Sequence, residues 1–144
     1  MNIDIVTLRP NAVLPAYQTA GAAGADIHAC IDAPITLQPL ERRMIPTGLS
    51  MAIPIGYEVQ IRARSGMSIK HGITMVNGIG TIDADYRGEV GVLAINLGQE
   101  AFTIEPGMRI AQMVVAKYET VAWNKVEVLD ETDRGVGGYG SSGS

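Results

Sequence analysis

An all-β fold of many short strands is what this sequence predicts, on three observations. Seventeen glycines and seven prolines stand against one Phe and one Trp in 144 residues, a composition of short segments joined by tight turns rather than of long helices. Tyr57, Val59 and Ile61 alternate with Glu58, Gln60 and Arg62, so a strand here has one buried and one wet face. From Ile35 onward, turn chemistry recurs about every ten residues.

Taken in order, Ile3, Ile5 and Leu8 open the chain in a strand-like way, and Pro10, Pro15 and the small-residue run Thr19 to Ala25 interrupt it as an extended loop. Short strands then follow, separated by turns at Leu37-Gln-Pro39, Pro46-Thr-Gly48, Pro54-Ile-Gly56 and Pro106-Gly107. Ser65 to His71 is the single helical turn expected, opened by Ser65 as N-cap and closed by Gly72. Val90 to Ile95 and Ile110 to Val115 are nearly continuous in apolar residues. Such strands are covered on both sides or packed against another subunit, and the second alternative implies an oligomer. After Asp133 the composition changes: residues 134 to 144 hold five Gly and three Ser, with only Val136 and Tyr139 to bury. That tail builds no core and is expected to be ordered only by a ligand or a neighbouring subunit. The reading is therefore one β domain, 1–133, followed by an arm, 134–144.

A net charge of −4 argues against a nucleic-acid polymer or an anionic membrane as the main partner, because either favours a basic face. Cys30 is the only cysteine, which excludes an intrachain disulfide and a cysteine-based zinc site and suits a reducing, cytoplasmic compartment. Within MNIDIVTLRP no basic flank precedes an apolar run, and no apolar stretch approaches the ~20 residues of a membrane span, so neither export nor anchoring is expected.

The chemistry-bearing residues fall in five islands: Ala20 to Ala29, Arg64 to Gly66, Gly80 to Gly88, Arg109 to Gln112 and Arg134 to Gly143. In the last, Gly135, Gly137 and Gly140 satisfy GxGxxG, but no helix or acidic residue can follow as a dinucleotide fold requires, and the P-loop lysine is missing. What remains is the physics under both motifs: glycines let successive N–H groups turn toward one anion, and Arg134 supplies a planar cation suited to phosphate. Arg64-Ser65-Gly66 gathers an arginine, a hydroxyl and a free N–H at a strand end, although taken alone a surface arginine beside a helix cap is the better account of it. Gln112 is an amide on an apolar strand and needs partners, either in the core or in a ligand. If Gly80 to Gly88 is extended, Asp83 and Asp85 share one face with Ile82 and Ala84 on the other. Like charges so placed repel, which can make one a base unless a cation or turn separates them, and Arg87 continues that face as counter-ion. Asp26 reads as a structural aspartate bonded to loop N–H groups. His28 and His71 lack a third partner at any metal-ligand spacing, and Cys30 reads as buried and inert.

Together AGAAGADIHA, ARSGMSIKHGI, NGIGTIDADYRGEV, PGMRIAQM and RGVGGYGSSG resemble, in order and spacing, the five motifs of the homotrimeric deoxyuridine triphosphate nucleotidohydrolases, the dUTPases. The resemblance runs from about residue 20 to the last residues. It implies a distorted β-barrel or jelly-roll-like protomer of the β-clip kind, three of which share three active sites, each closed by a neighbour's C-terminal arm. It implies hydrolysis of dUTP to dUMP and pyrophosphate, limiting uracil incorporation into DNA and supplying dUMP for thymidylate synthesis.

Carried across, the third motif is a β-hairpin receiving the uracil, read by Asn77 and by the backbone of Gly80, Thr81 and Ile82. Asp83 matches the catalytic aspartate and Tyr86 the ring beneath the deoxyribose. Arg64, Ser65, Gly66 and Gln112 reach the phosphates, with Ser65 and Gln112 assisting catalysis. Arg134, Gly137, Gly138, Gly140, Ser141 and Ser142 clamp the outer phosphates while Tyr139 covers the base. Tyr139 and Ser142 stand where many members carry Phe and Thr, changes that keep the ring and the hydroxyl. Mg²⁺ is implied as cofactor, held by the phosphates and by water with no direct protein ligand and with Asp26 in its outer sphere. A dCTP deaminase on the same fold is the rival reading, and it would use Glu89 as proton shuttle.

Overall fold

The computed structural model describes residues 1–138. Among them are eleven strands and one helix: β1 (Asp4–Thr7), β2 (Ala25–His28), β3 (Ile35–Leu37), β4 (Arg42–Pro46), β5 (Leu49–Ala52), β6 (Tyr57–Ala63), α1 (Ser65–His71), β7 (Ile73–Met75), β8 (Gly80–Ile82), β9 (Gly91–Asn96), β10 (Phe102–Ile104) and β11 (Arg109–Lys117). The all-β, jelly-roll-like expectation holds. The strands form four sheets, in the orders β2-β11-β6-β8, β4-β9-β7, β1-β5 and β10-β3, and these do not close into a barrel. All the pairings are antiparallel.

Between the sheets lies one core, in which Ile27, Leu37, Ile45, Leu49, Val59 and Ile104 are fully buried. Each such side chain contributes roughly 1.5–3 kcal/mol relative to exposure. The alternation read in β6 is real: Val59 and Ile61 enter this core while Arg62 is exposed. The apolar run of β9 alternates too, with Val92, Ala94 and Asn96 buried and the intervening residues half-buried. The last strand ends at Lys117, ahead of the composition change at Asp133, and residues 118–138 contain no helix or strand.

Three local expectations need correction. Thr19 to Ala25 is not loop throughout, since Ala25 already pairs with Met113 at the start of β2. The N-cap of α1 is Arg64, extended at φ −86° and ψ 125° and without a side-chain cap, so Ser65 is the first helical residue. Gly72 does close the helix in the left-handed conformation, at φ 70°, and its N–H bonds the Met67 and Ser68 carbonyls. The link between β7 and β8 is not a self-paired hairpin, because β7 pairs with β9 and β8 with β6. It is a corner joining two sheets.

The turn after β3 carries a non-glycine at positive φ: Leu40, at φ 66° and 72% exposed. A left-handed conformation costs a Cβ-bearing residue roughly 1–2 kcal/mol, part of which glycine returns as unfolded-chain entropy. Leu40→Gly is therefore expected to raise stability by about 0.5–1 kcal/mol, measured as a higher urea midpoint at unchanged slope.

Candidate active site

The predicted site residues separate into two groups on opposite faces of the four-stranded sheet. In antiparallel register, residues directly opposed share a face. Asp26 opposes Gln112, Gln112 opposes Arg62, and Gln60 opposes Thr81, which together make one polar outer face. Ala25, Ile27, Ala111, Met113 and Ile61 point the other way, into the core.

The outer face is organised by Asp26, only 2% exposed. Its carboxylate accepts hydrogen bonds from Arg109 Nη1 at 3.0 Å and from Gln112 Nε2 at 3.3 Å, and Arg64 Nε lies 3.7 Å away. Arg64 Nη1 also donates to the Arg109 carbonyl at 2.8 Å. Asp26 is thus not bonded to loop N–H groups as expected. As a strand residue it has its own N–H and carbonyl tied to Ala16, which leaves the side chain to two cations and an amide. Ser65 and Gly66, both exposed, stand at the first turn of α1, where amide N–H groups have no intrahelical acceptor. Gly24 permits the close approach of the first island: a Cβ there would lie 3.2–3.3 Å from three Gln112 side-chain atoms. Arg109 and the central role of Asp26 were missed in the sequence. The signal available was the period of ADIH, whose Ala and Ile face the core and whose Asp and His do not.

His28, two residues along the same face, has a buried Nδ1 with no hydrogen-bond partner. Desolvation draws its pKa below the ordinary 6.5, opposed by the Asp26 carboxylate and reinforced by Arg109 and Arg64. The folded protein therefore holds this proton less tightly than the unfolded chain does. Its contribution to stability is complete above about pH 6.5 and falls as pH drops through the lower folded value. His28→Phe is expected to flatten the loss of thermal stability between about pH 7 and pH 5, and an unchanged slope would assign that loss to other groups.

The second group lines a cavity of about 250 Å³ between the inner face of β6 and β8 and the sheet of β4 and β9. Its walls include Asn77, Gly80, Thr81, Ile82, Asp83 and Tyr86. Asp83 and Asp85 do not share a strand face. The strand ends at Ile82, and the Tyr86 N–H bonds the Asp83 carbonyl at 3.1 Å to make a turn that sends only Asp83 to this cavity. Arg87 is not their counter-ion: its guanidinium donates to the carbonyls of Ala84 and Tyr86 at 2.7 and 2.9 Å. Backbone curvature in the turn exposes those carbonyls, and they capture the cation.

Thr81 alone borders both groups, and among the described residues no hydrogen bond or ion pair joins Asp83 to Arg64, Ser65, Gly66 or Gln112. Arg134 is exposed and closes a local turn, its Nε donating to Gly137 O at 2.9 Å, with Gly138 next along the chain. Tyr139, Gly140, Ser141 and Ser142 lie outside the described residues. Glu89 is engaged on both oxygens, accepting from Arg9 Nη2 at 2.9 Å and from the Gly48 N–H at 2.8 Å.

A family profile described as dUTPase matches residues 10–143. The chain is 53% identical over 143 residues to the deoxyuridine 5′-triphosphate nucleotidohydrolase of Finegoldia magna, covering 99% of each. To that of Roseobacter denitrificans it is 63% identical over 131 residues, covering 90% of this chain and 86% of the relative. Among solved structures it resembles the dUTPase of Staphylococcus bacteriophage 80alpha with dUpNHpp, at TM-score 0.90 and 28% identity over 99% of both chains. It also resembles a mutant dUTPase from phage phi11 of S. aureus with a structural Mg(II) ion, at TM-score 0.80 and 25% identity over 89% of this chain and 98% of the other.

Proposed function

Because the chain belongs to the dUTPase family, we propose that it hydrolyses dUTP to dUMP and pyrophosphate, with water attacking the α-phosphorus in line with the leaving oxygen. One observation carries the reading: a turn aspartate at a nucleoside-sized cavity, and a cationic, amide-bearing face on the other side of the same sheet. At about 250 Å³ the cavity is below the ~300–1,000 Å³ of drug-sized ligand sites, which suits a nucleoside and leaves a triphosphate projecting outward. A homotrimer supports completion of the site, since the outer face of one protomer can then meet the cavity of another while the arm of residues 134–144 closes over both. The assembled site limits uracil incorporation and supplies dUMP.

Within it Asp83 orients and deprotonates the water, a role that contributes ~10²–10⁴-fold. Arg64, the Ser65 hydroxyl, the Gly66 N–H and Gln112 hold the phosphates and steady the leaving group, with Asp26 fixing the Gln112 amide and the guanidinium of Arg109. Arg134 and the N–H groups of Gly137 and Gly138, with residues 139–142, complete the phosphate clamp. Asn77 and the backbone at Gly80, Thr81 and Ile82 read the base. Cytosine swaps donor for acceptor and would leave these groups unpaired once the bound base has covered them, at ~1–3 kcal/mol each. Tyr86 lies against C2′ of the sugar.

Among the described residues no group of three or more His, Cys, Asp or Glu is placed to hold a metal, and the Asp26 oxygens are already engaged. Mg²⁺ carried on the substrate phosphates would need no such group; Asp26 would meet it at most through water, and the ion would offset charge on the pyrophosphate. No described helix is long and apolar enough to cross a membrane, and a cytoplasmic location belongs to the same reading. The deaminase alternative is disfavoured by Glu89, whose carboxylate is committed to Arg9 and Gly48.

A panel of dUTP, UTP, dCTP and dTTP with Mg²⁺ tests the proposal. Pyrophosphate is expected from dUTP far above the others. Ammonia from dCTP, or equal pyrophosphate from UTP, would overturn it.

A further inference from the structure

A hydroxyl added to a ligand is rejected by only ~10²-fold where the pocket yields, so a wall that excludes ribose must be held rigidly. Tyr86 is 45% exposed and is not held by burial. Its hydroxyl instead donates to the Glu89 carbonyl at 3.1 Å. The ring lies directly over Gly88, where a Cβ would sit 2.3 Å from the Tyr86 hydroxyl. The pose of the ring is therefore set by the backbone of residues 88 and 89.

That backbone is in turn anchored by a side chain far away in sequence. Arg9 holds Glu89 Oε2 through Nη2 at 2.9 Å and, through Nη1, the Cys30 carbonyl at 2.9 Å. Glu89 Oε1 accepts from the Gly48 N–H at 2.8 Å, and the Gly48 carbonyl accepts from the Leu8 N–H at 2.7 Å. Gly48 has no room to give way: at φ 69°, a Cβ would meet Ala12 Cβ and Cys30 Sγ at 2.7 Å. Ser50 Oγ donates to the Arg87 carbonyl at 2.7 Å, and the Val90 N–H bonds the Leu49 carbonyl at 2.8 Å, flanking Glu89 on both sides. An exposed surface pair contributes little to stability, typically ~0–1 kcal/mol. This one does more than join two surface groups, because its carboxylate also anchors the peptide that accepts from the ring.

We propose that Arg9 and Glu89 are a positioning pair for Tyr86 and set the discrimination between deoxyribose and ribose, an inference that rests on Tyr86 lying against the sugar. Arg9 does not line the cavity; Glu89 does, but both its carboxylate oxygens are engaged by Arg9 and by the Gly48 N–H. The pair acts by denying the ring the movement that would admit a 2′-hydroxyl.

The test measures kcat/KM for dUTP and UTP in wild type, Arg9→Ala, Arg9→Lys, Tyr86→Ala and the double variant Arg9→Ala/Tyr86→Ala. Arg9→Ala is expected to lower the dUTP:UTP ratio about tenfold while the dUTP kcat changes little. Arg9→Lys, which keeps the charge on Glu89, should recover part of the ratio. Tyr86→Ala should lower the ratio further, and adding Arg9→Ala to it should then change nothing, because the two act on one wall. A wild-type ratio in Arg9→Ala, with Tyr86→Ala relaxed, overturns the positioning pair and leaves the sugar wall standing. A wild-type ratio in Tyr86→Ala overturns the sugar wall and the pair with it. Additive losses in the double variant also overturn the pair, since they place Arg9 on another route. If Arg9→Ala does not fold, Glu89→Gln, which keeps an acceptor for Gly48 and loses the ion pair, takes its place with the same outcomes.

Discussion

Asp83→Asn is expected to fold, to bind dUTP with little change in KM and to lose about 10²–10⁴-fold in kcat. The substitution keeps the shape of the side chain and its capacity to accept one hydrogen bond, and it removes only the ability to take a proton. The fold does not depend on the carboxylate: Asp83 is exposed, sits past the end of β8 and contributes its backbone carbonyl to the turn through the Tyr86 N–H. A loss confined to kcat identifies a group needed in the transition state and not for ground-state binding. Turnover near wild type would remove Asp83 as the base and leave the cavity as a binding site alone.

Replacing Asp26 with Leu is expected to act on both stability and activity. The carboxylate is buried, but its partners are not: the Arg109 side chain is 45% exposed and that of Arg64 27%. Removing one partner of a fully buried ion pair costs ~3–5 kcal/mol. Here the released guanidinium groups can turn to water, so about 2 kcal/mol is expected. The larger effect falls on catalysis. Arg64 and Gln112 lose the acceptor that orients them, and misplacement of such positioning groups by an ångström costs ~10²-fold. Urea unfolding and kcat/KM on the same preparation separate the two effects. A folded Asp26→Leu variant with wild-type kcat/KM would show that this hub does not organise the phosphate side.

The turns at Pro54-Ile-Gly56 and Pro106-Gly107 were legible in sequence, with Gly56 and Gly107 at φ 87° and 74°. So were the alternation of β6 and the αL end of α1. Each rests on preferences acting within a few residues, namely pleat period, fixed proline φ and the freedom of glycine at positive φ. The start of α1 was misread because Ser65 is a good cap by type, whereas Arg64, still extended at the end of β6, takes the cap position and the helix begins one residue earlier than a Ser65 cap requires. The pairing of Asp83 with Asp85 failed for a similar reason, since the turn begins where the alternating pattern gives no sign of stopping.

The sequence by itself determined the kind of protein: a small β domain, the chemical type of each motif residue and, through five motifs in order, the family. Tertiary structure alone decided which of those residues meet. Asp26 finds Gln112 because β2 docks on β11 in a register shifted by an irregularity between Arg109 and Ala111, across 86 positions of chain. Arg9 finds Glu89 across 80. Local propensities carry no information at such separations. Alternation within a strand decides which of its residues face the core, and strand pairing decides which residues of different strands then share a face.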